Sequence, residues 1–350
     1  MPNPNGKLIN LALQGGGSHG AFTWGVLDAL LEAGTFDIEG ISGTSAGAMN
    51  AVVLADGFED GGIDGAREHM ERFWLAVSKA SSFSPAQRTL MDMMFGNWSL
   101  DMSPGYLMSD VITRFYSPYD YNPLNLNPLR GILEDLVDFD RVQNCKGVKL
   151  FLGATNVHNG KVRVFDTPEI TADTVLASAC LPYLFQAVEI EGIPYWDGGF
   201  MGNPVLFPFF ENTKSNDILL VQINPIERKE TPKAARDILN RVNEITFNSS
   251  LLREFRAMEF VSRLIDEGKL SEPEYSKIRM HRIALEDDQS PLPASSKNNA
   301  EWRFLTHLRD RGRAAALAWM GENSKHVGEK ATIDLREAIA YTSQGEATGF

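Results

Sequence analysis

Residues 38–47 read Ile38-Glu39-Gly40-Ile41-Ser42-Gly43-Thr44-Ser45-Ala46-Gly47, and this stretch decides the fold. Ile38–Ser42 is short and apolar enough for a buried strand, while Ala46–Ala55 has the small residues of a helix that packs closely on a sheet. Between them lies a G-x-S-x-G pentapeptide, in which two glycines let a strand turn sharply into a helix. The pattern predicts that Ser45 is exposed at this turn as a nucleophile.

A strand, a glycine-rich loop and a helix precede this turn. Leu8–Leu13 predicts a buried strand, and Gln14–Gly20 follows it as the loop. Ala21–Leu31 then carries apolar residues at helical spacing, and Gly34 is a candidate C-terminal cap. This alternation of strands and helices favours an α/β fold with a largely parallel sheet.

Later segments extend the alternation. We predict strands near 148–157, 161–165, 188–190, 194–196, 217–224 and 277–285, and helices near 170–181, 233–267 and 301–320. Residues 81–130 interrupt this alternation, because they are rich in Met, aromatic residues and Pro and have little regular periodicity. They form a candidate lid, acyl-chain groove or insert.

Two domain organisations fit these elements. We expect a catalytic domain over 8–225, a mainly helical C-terminal region over 226–342 and a frayed tail over 343–350. The alternative is one continuous domain with a helical cap. The sequence contains no internal repeat.

Composition narrows the classes of partner and location. The net charge of −13 argues against nucleic acid and against binding to anionic lipid through bulk electrostatics. Cys145 and Cys180 match no metal-ligand spacing or disulfide framework, so we expect a reducing compartment. We also expect no metal and no cofactor. We see no signal peptide and no apolar run of roughly 20 residues that could span a bilayer. The sequence therefore predicts a cytoplasmic protein with at most transient membrane association.

Three segments together suggest covalent catalysis. A serine hydroxyl is a weak nucleophile until a base takes its proton, and Asp197, in Asp197-Gly198-Gly199, offers a carboxylate. Acyl transfer also develops an oxyanion, which preorganised backbone N–H groups stabilise. The loop Gly15–Gly20 opens a helix and can supply such donors.

These segments resemble the patatin-like phospholipases in both order and spacing. That family combines a G-G-G-x-[RK]-G loop, a G-x-S-x-G turn and a distal D-G-[GA]. The matching segments are Gly15–Gly20, Gly43–Gly47 and Asp197–Gly199, and Ala177–Pro182 is similar to the family's Ala-Ser-x-x-x-Pro segment. The similarity extends over about residues 8–210.

The resemblance implies a three-layer α/β/α sandwich and a Ser–Asp dyad. Ser45 would be the nucleophile and Asp197 its base. The oxyanion donors would be Gly15, Gly16, Gly17 and Ala46.

One position departs from the family pattern. His19 stands where the family has Arg or Lys, so a permanent charge becomes a titratable one. Either His19 gives pH-dependent electrostatic support to the loop, or it faces solvent.

We therefore expect a serine acyl hydrolase that cleaves carboxylic esters of phospholipids or related lipids through an acyl-serine intermediate. The expected partners are a lipid or acyl-ester substrate, a peripheral membrane surface and a second copy of the chain. A soluble carboxylesterase or thioesterase and a non-catalytic lipid-binding module are the alternatives. A dinucleotide loop at Gly15-x-Gly17-x-x-Gly20 and a Ser–Asp–His triad using His281, His307 or His326 also stay open.

Overall fold

The computed structural model describes residues 6–82, 84–228, 230–271, 275–285 and 292–340. The predicted tail, 343–350, lies outside them. The strands are β1 (Lys7–Leu13), β2 (Phe36–Gly43), β3 (Lys149–Asn156), β4 (Val162–Asp166), β5 (Val188–Ile190), β6 (Ile193–Asp197), β7 (Asp217–Gln222) and β8 (Arg279–Ala284). The helices are α1 (Gly20–Ala33), α2 (Ala46–Ser81), α3 (Leu90–Met94), α4 (Pro104–Phe115), α5 (Pro118–Tyr121), α6 (Pro128–Leu136), α7 (Phe139–Gln143), α8 (Ala172–Ser178), α9 (Phe207–Asn212), α10 (Ala235–Asp266), α11 (Trp302–Asn323) and α12 (Leu335–Ile339).

The described strands form one mostly parallel sheet in the order β5-β6-β3-β2-β1-β7-β8, with β4 paired to β3. Parallel pairs join β1 to β2, β1 to β7, β2 to β3 and β7 to β8. The antiparallel pairs join β3 to β4, β3 to β6 and β5 to β6, all at one side of the sheet. The predicted α/β class with a largely parallel sheet is confirmed.

Helices cover both faces of this sheet. Successive side chains of a strand point to opposite faces, and in β1 Leu11 and Leu13 join one buried cluster while Ala12 joins the other. The first cluster takes in buried residues of α1, α2 and α11, and the second those of α9 and α10. The predicted three-layer arrangement is therefore confirmed.

The region after residue 225 is joined to the rest through the sheet and through one helix pair. Strand β8 extends the sheet beyond β7. Helix α11 lies so close to α1 that a Cβ on Gly25 would be 1.9 Å from the Arg309 carbonyl oxygen, and one on Gly312 would be 2.1 Å from that of Phe22. A domain division at residue 225 stays a prediction, and these contacts lie across it.

Residues 84–130, most of the candidate lid, form the short helices α3 to α5 and the start of α6. Helix α4 contains no buried residue, although its sequence alternates apolar and polar positions at helical spacing. Within the described part of the chain, no helix combines the length and the apolar character needed to cross a bilayer.

Candidate active site

Ser45 lies at a sharp turn between the end of β2 and the start of α2. Its backbone has φ 54° and ψ −119°, a strained conformation for a residue with a side chain. Its N–H donates to Ser178 Oγ at 3.0 Å. Gly47 has no room for a side chain, because a Cβ there would lie 2.2 Å from the Leu13 carbonyl oxygen. The side chain is partly exposed between buried neighbours, so a ligand can reach its hydroxyl.

Asp197 is the last residue of β6, and hydrogen bonds hold its carboxylate, its N–H and its carbonyl. Its carboxylate Oδ1 accepts from Gly199 N–H at 2.7 Å. Its own N–H donates to the Cys180 carbonyl at 2.8 Å, and its carbonyl accepts from Thr155 Oγ1 at 2.8 Å. Since only 1% of the residue is exposed, the carboxyl group is held in one place and shielded from bulk water.

The pKa of the Asp197 carboxyl is raised to about 7. Burial is the main cause, because it disfavours the charged form. Hydrogen bonds from Gly199 N–H and from the Ser45 hydroxyl oppose it by stabilising the carboxylate. The structure thus brings Ser45 and Asp197 into contact, and it gives the carboxyl group a pKa suited to proton transfer near neutral pH.

The glycine loop offers fewer backbone donors than the sequence predicts. Gly15 N–H donates to Asn203 Oδ1 at 2.7 Å, so the prediction of Gly15 as an oxyanion donor is wrong. No hydrogen bond to a described residue engages the N–H of Gly16 or Gly17. Ala46 is the first residue of α2, where an N–H has no partner within the helix. Gly16, Gly17 and Ala46 therefore keep the donor role as a hypothesis.

Gly17 needs to be glycine at this point of the loop. Its φ is +61°, and a Cβ would lie 2.5 Å from the Lys297 carbonyl oxygen. The backbone of residues 294–298, far along the chain, thus forms the wall behind the loop.

A buried amide network that the sequence did not reveal holds the loop in place. Gln14 Oε1 accepts from the N–H groups of Ile223 and Asn224, and its Nε2 donates to the Asn203 carbonyl and to Asn248 Oδ1. Asn224 Nδ2 donates to the Gly15 carbonyl at 2.6 Å, and Lys297 Nζ donates to Asn224 Oδ1 at 2.9 Å. A polar Gln at the end of an apolar strand was the only signal in the sequence, and it did not identify partners some 200 positions away.

His19 is buried and neutral at pH 7. Only 4% of the residue is exposed, so the solvent-facing alternative is wrong. Its Nε2 lies 2.8 Å from Ser296 Oγ, and because the Ser296 hydroxyl donates to the Pro293 carbonyl, the imidazole N–H is the donor here. Burial and then the charge of Lys297 lower the His19 pKa to about 3. A charged His19 is therefore not available to support the loop at neutral pH.

The three histidines considered for a triad have other surroundings. The ring nitrogens of His281 lie 3.0 Å from Asp217 Oδ1 and 3.1 Å from Thr332 Oγ1. His307 stacks on Trp98, and His326 belongs to the 3₁₀ turn Ser324–His326, which accepts hydrogen bonds from Lys7 at the start of β1. None of them is among the partners described for Ser45 or Asp197.

An open cavity of about 610 Å³ lies near the end of β6, and its lining includes Trp196, the neighbour of Asp197, but neither Asp197 nor Ser45. Thr155, which bonds the Asp197 carbonyl, forms part of its wall together with Trp196 and Phe200, and Phe115 and Tyr116 face them from the end of α4. Its volume and aromatic lining are those of a site for a small organic ligand or an acyl chain. Within the described residues, no cluster of His, Cys, Asp or Glu is placed to hold a metal ion.

The site therefore combines a mostly parallel α/β sheet, a serine at a sharp strand-to-helix turn and a buried carboxyl group in contact with that serine. The model of the patatin-like phospholipase family matches residues 11–211, more than half of the chain. The chain belongs to the patatin-like phospholipase family. This membership supports lipid hydrolysis as its general activity.

Similar solved structures include VipD from Legionella pneumophila, with 17% identity, a TM-score of 0.36 and coverage of 88% of this chain and 67% of VipD. The ExoU–SpcU complex of Pseudomonas aeruginosa matches with 15% identity, a TM-score of 0.40 and coverage of 92% of this chain and 52% of that one. Human GIVD cytosolic phospholipase A2, in complex with methyl gamma-linolenyl fluorophosphonate, matches with 10% identity and a TM-score of 0.40. The match covers 93% of this chain and 60% of that one. The chain thus spans about half to two thirds of these proteins. No curated protein matches it. Family membership rests on the sequence match alone.

Proposed function

We propose that this protein hydrolyses carboxylic esters of phospholipids or related lipids, with Ser45 as nucleophile and Asp197 as its base. The observation that carries the proposal is the contact between the Ser45 hydroxyl and a buried carboxyl group whose pKa is about 7. A carboxylate with this pKa is a stronger base than an ordinary aspartate, and it stays ionised in a large fraction of molecules near neutral pH.

In the acylation step, Ser45 Oγ attacks the ester carbonyl carbon while its proton passes to the Asp197 carboxylate. The carbonyl oxygen becomes an oxyanion, for which the N–H groups of Gly16, Gly17 and Ala46 are the donors we propose. The intermediate collapses, the bond to the alcohol breaks, and the proton on Asp197 passes to the departing oxygen. The acyl group is then bound to Ser45 and the lyso product is free.

In the deacylation step, water takes the place of the alcohol. Asp197 accepts a proton from the water as its oxygen attacks the acyl carbon, and the same donors hold the new oxyanion. Collapse breaks the bond to Ser45 Oγ, which recovers the proton from Asp197. The products are a fatty acid and the free enzyme, and no metal ion is needed to balance the reaction.

The cavity near the end of β6 favours a lipid over a small soluble ester. Aromatic side chains such as Trp196, Phe200 and Phe115 surround it, and its volume accommodates an acyl chain. A thioester would fit the same chemistry, since the dyad does not select the leaving group.

Fluorophosphonate labelling tests whether the serine is activated. We expect one covalent adduct on the protein, located at Ser45, and loss of the adduct in Ser45→Ala. Absence of labelling in the unaltered protein, or full labelling of Ser45→Ala, would support a non-catalytic lipid-binding module instead.

Turnover of a substrate panel then separates the enzyme classes. We expect phosphatidylcholine vesicles to give fatty acid and lysophospholipid, and both products to disappear in Ser45→Ala and in Asp197→Asn. Hydrolysis confined to short soluble esters or thioesters would contradict the phospholipase assignment while leaving the dyad intact.

A further inference from the structure

Asn50 joins two parts of the site that come from different helices. It lies near the start of α2, and its side chain is completely buried. Its Nδ2 donates to the carbonyl oxygens of Gly20 and Ala46, both at 3.0 Å. Gly20 ends the glycine loop and begins α1, while Ala46 follows Ser45 and begins α2. One buried amide thus bonds the end of the glycine loop to the start of the helix that follows Ser45.

The indole of Trp74 fixes the direction in which the Asn50 amide points. Trp74 is only 3% exposed, and its Nε1 donates to Asn50 Oδ1 at 3.1 Å. An indole N–H can only donate and a backbone carbonyl can only accept, so these partners allow one orientation of the amide. Rotation of the Asn50 side chain would leave buried polar atoms without partners, which is costly.

The kink in α2 brings Trp74 to this position. Residues 61–62, both glycine, depart from helical backbone angles, and the second half of α2 returns along the first. A Cβ on Gly57 would lie 2.5 Å from the Gly65 carbonyl oxygen, so the two halves are in close contact beside the kink. Trp74 therefore reaches Asn50, although the two residues are 24 positions apart in the sequence.

Gly20 is packed tightly against both of these neighbours. A Cβ on Gly20 would lie 2.6 Å from Ala46 Cβ and 3.2 Å from Trp74 Cη2. The end of the glycine loop therefore rests directly on α2 and on the indole ring. Because such an interior has few voids, loss of the Asn50 contacts would shift the loop relative to α2.

The proposed oxyanion donors belong to the same two segments. Gly16 and Gly17 lie in the loop that ends at Gly20, while the Ala46 N–H is at the start of α2. Backbone donors stabilise an oxyanion only where their N–H groups converge on one point at hydrogen-bond distance. Convergence here requires the loop and the start of α2 to keep a fixed relative position.

We propose that Asn50 is a positioning residue that, together with Trp74, holds the glycine loop against the turn at Ser45. The Asn50 bridge is the set of three hydrogen bonds that joins Trp74, Asn50 and the two helix starts. The network of Gln14 and Asn224 holds the beginning of the loop, and the Asn50 bridge holds its end. The inference rests on the proposed function, in which a carbonyl oxygen of the substrate becomes an oxyanion at these donors.

Matched alanine variants test the proposal. Asn50→Ala removes the Asn50 bridge, and Asn10→Ala is the control. Asn10 is also completely buried, and its Nδ2 also donates to two oxygens, Thr213 Oγ1 and the Ser215 carbonyl, both at 2.9 Å. Those partners precede β7, which is parallel to β1, whereas the glycine loop follows the end of β1. Both substitutions thus remove a buried amide, but only one of them touches the site.

Kinetics on a short soluble ester give the first readout. We expect Asn50→Ala to lower kcat by roughly 10- to 100-fold and to change KM by less than about twofold, because misplaced donors act on the transition state. Asn10→Ala should keep kcat within about twofold of the unaltered protein. The rise of kcat/KM near pH 7 should persist in both variants, since neither removes Asp197.

Trp74→Phe tests the indole N–H separately, because phenylalanine keeps an aromatic ring but has no donor. We expect it to lower kcat by roughly 3- to 10-fold. In the double variant Asn50→Ala/Trp74→Phe, kcat should be no lower than in Asn50→Ala alone, because the indole N–H acts through the amide.

Hydrogen–deuterium exchange, followed by mass spectrometry, gives a readout that does not depend on activity. We expect the amides of residues 15–20 and 46–50 to exchange faster in Asn50→Ala than in Asn10→Ala. Urea unfolding of both variants corrects this comparison for any difference in global stability.

Three results would overturn the proposal. One is equal kcat and equal exchange of residues 15–20 in Asn50→Ala and Asn10→Ala. Another is an additive loss of kcat in the double variant, which would show that Trp74 acts independently of Asn50. If Asn50→Ala does not fold, Trp74→Phe carries the test, and unchanged kcat and exchange in that variant are the third. An unaltered protein that hydrolyses no ester and takes up no fluorophosphonate would refute the proposed function instead, and the exchange measurement would still decide whether Asn50 holds the loop.

Discussion

At the scale of single residues, burial sets the chemistry of Asp197. The carboxyl group loses most of its hydration, and it regains only part of that stabilisation from Gly199 N–H and the Ser45 hydroxyl. Its pKa is therefore high enough for the carboxylate to be a useful base. The same burial means that ionising this group lowers the stability of the folded state. We therefore expect activity and stability to depend on pH in opposite directions.

The first prediction concerns the pH dependence of catalysis. We expect kcat/KM for a soluble ester to rise with pH through about 7, because Asp197 has to lose its proton before it can act as a base. Asp197→Asn should lower kcat by roughly 10³-fold or more and remove this rise. Steady-state rates between pH 5 and 9 measure both effects.

Glu254 provides the matched control for that profile. Burial raises its pKa to about 7 as well, but its carboxylate accepts the N–H of Leu206, whereas that of Asp197 accepts the Ser45 hydroxyl. We expect Glu254→Gln to keep the rise near pH 7. If the rise disappeared in Glu254→Gln and persisted in Asp197→Asn, Asp197 would not be the base.

The second prediction concerns stability. The folded-state pKa of Asp197, about 7, lies above its unfolded value of 3.8, so the folded state holds the proton longer and loses stability as pH rises from about 4 through 7. Asp197→Asn removes this penalty. Its gain in the free energy of unfolding should be about 2 kcal/mol larger at pH 8 than at pH 5. Urea unfolding at the two pH values measures it, and an equal gain at both would contradict the pKa.

The third prediction concerns the support of the glycine loop. Lys297 Nζ bonds Asn224, which in turn bonds the Gly15 carbonyl, so Lys297→Met should loosen the loop and lower kcat about tenfold with little change in KM. It should also raise the pKa of His19 relative to the unaltered protein, because the charge of Lys297 lowers it. Kinetics and histidine NMR titration test this. The exposed Lys161→Met is the control, and equal effects of both substitutions would refute the role.

The sequence predicted the proximity of Ser45 and Asp197 better than the contacts that support them. Ser45 and Asp197 belong to short motifs that local spacing identifies, and the structure places them in contact. The errors at Gly15 and His19 have one cause. Their partners, Asn203 and Ser296, lie 188 and 277 positions away, and a single sequence does not reveal such pairings.

At the scale of elements, the sequence predicts helices and strands with a regular apolar period, but not short helices that depend on local capping. The hairpin of β3 and β4 across Gly160 and the long helix α10 follow the predicted patterns. Helix α3 was missed, since it is only five residues long and rests on a capping box between Thr89 and Asp92. Helix α2 also runs past the predicted stretch to Ser81, through a kink at Gly61 and Gly62.

The fourth prediction concerns the packing of α11 on α1. Gly312→Ala places a methyl group against the Phe22 carbonyl oxygen, and it should lower the free energy of unfolding by roughly 2–4 kcal/mol as the helices separate. Gly321, in the same helix, has open space around its Cα. Gly321→Ala should therefore stabilise by up to about 1 kcal/mol through helix propensity. Urea unfolding compares the two, and equal effects would show that the close approach is not needed.

At the scale of the whole molecule, one sheet combines strands from both sides of residue 225. Strand β8 covers the edge of β7, and α11 covers α1. Removing the region after 225 would expose an apolar helix face and an unpaired strand edge.

The fifth prediction follows from this arrangement. A fragment that ends at residue 225 should aggregate or melt without cooperativity, since it lacks β8, α10 and α11. Thermal melting and two-dimensional NMR of the fragment and of the full chain measure the difference. A fragment that melts cooperatively and hydrolyses a soluble ester would instead establish 8–225 as an independent catalytic unit.

The wall behind the glycine loop has a consequence for the timing of biosynthesis. The ribosome makes a chain from its amino terminus at roughly 5–20 residues per second, so upstream segments exist before downstream ones. Asp197 lies more than 150 residues downstream of Ser45, and the partner of His19 lies 277 positions downstream of it. During synthesis Ser45 therefore exists before the segments that we propose activate it. Under the proposed function, a ribosome-bound chain that has not yet reached Asp197 would therefore be inactive toward esters.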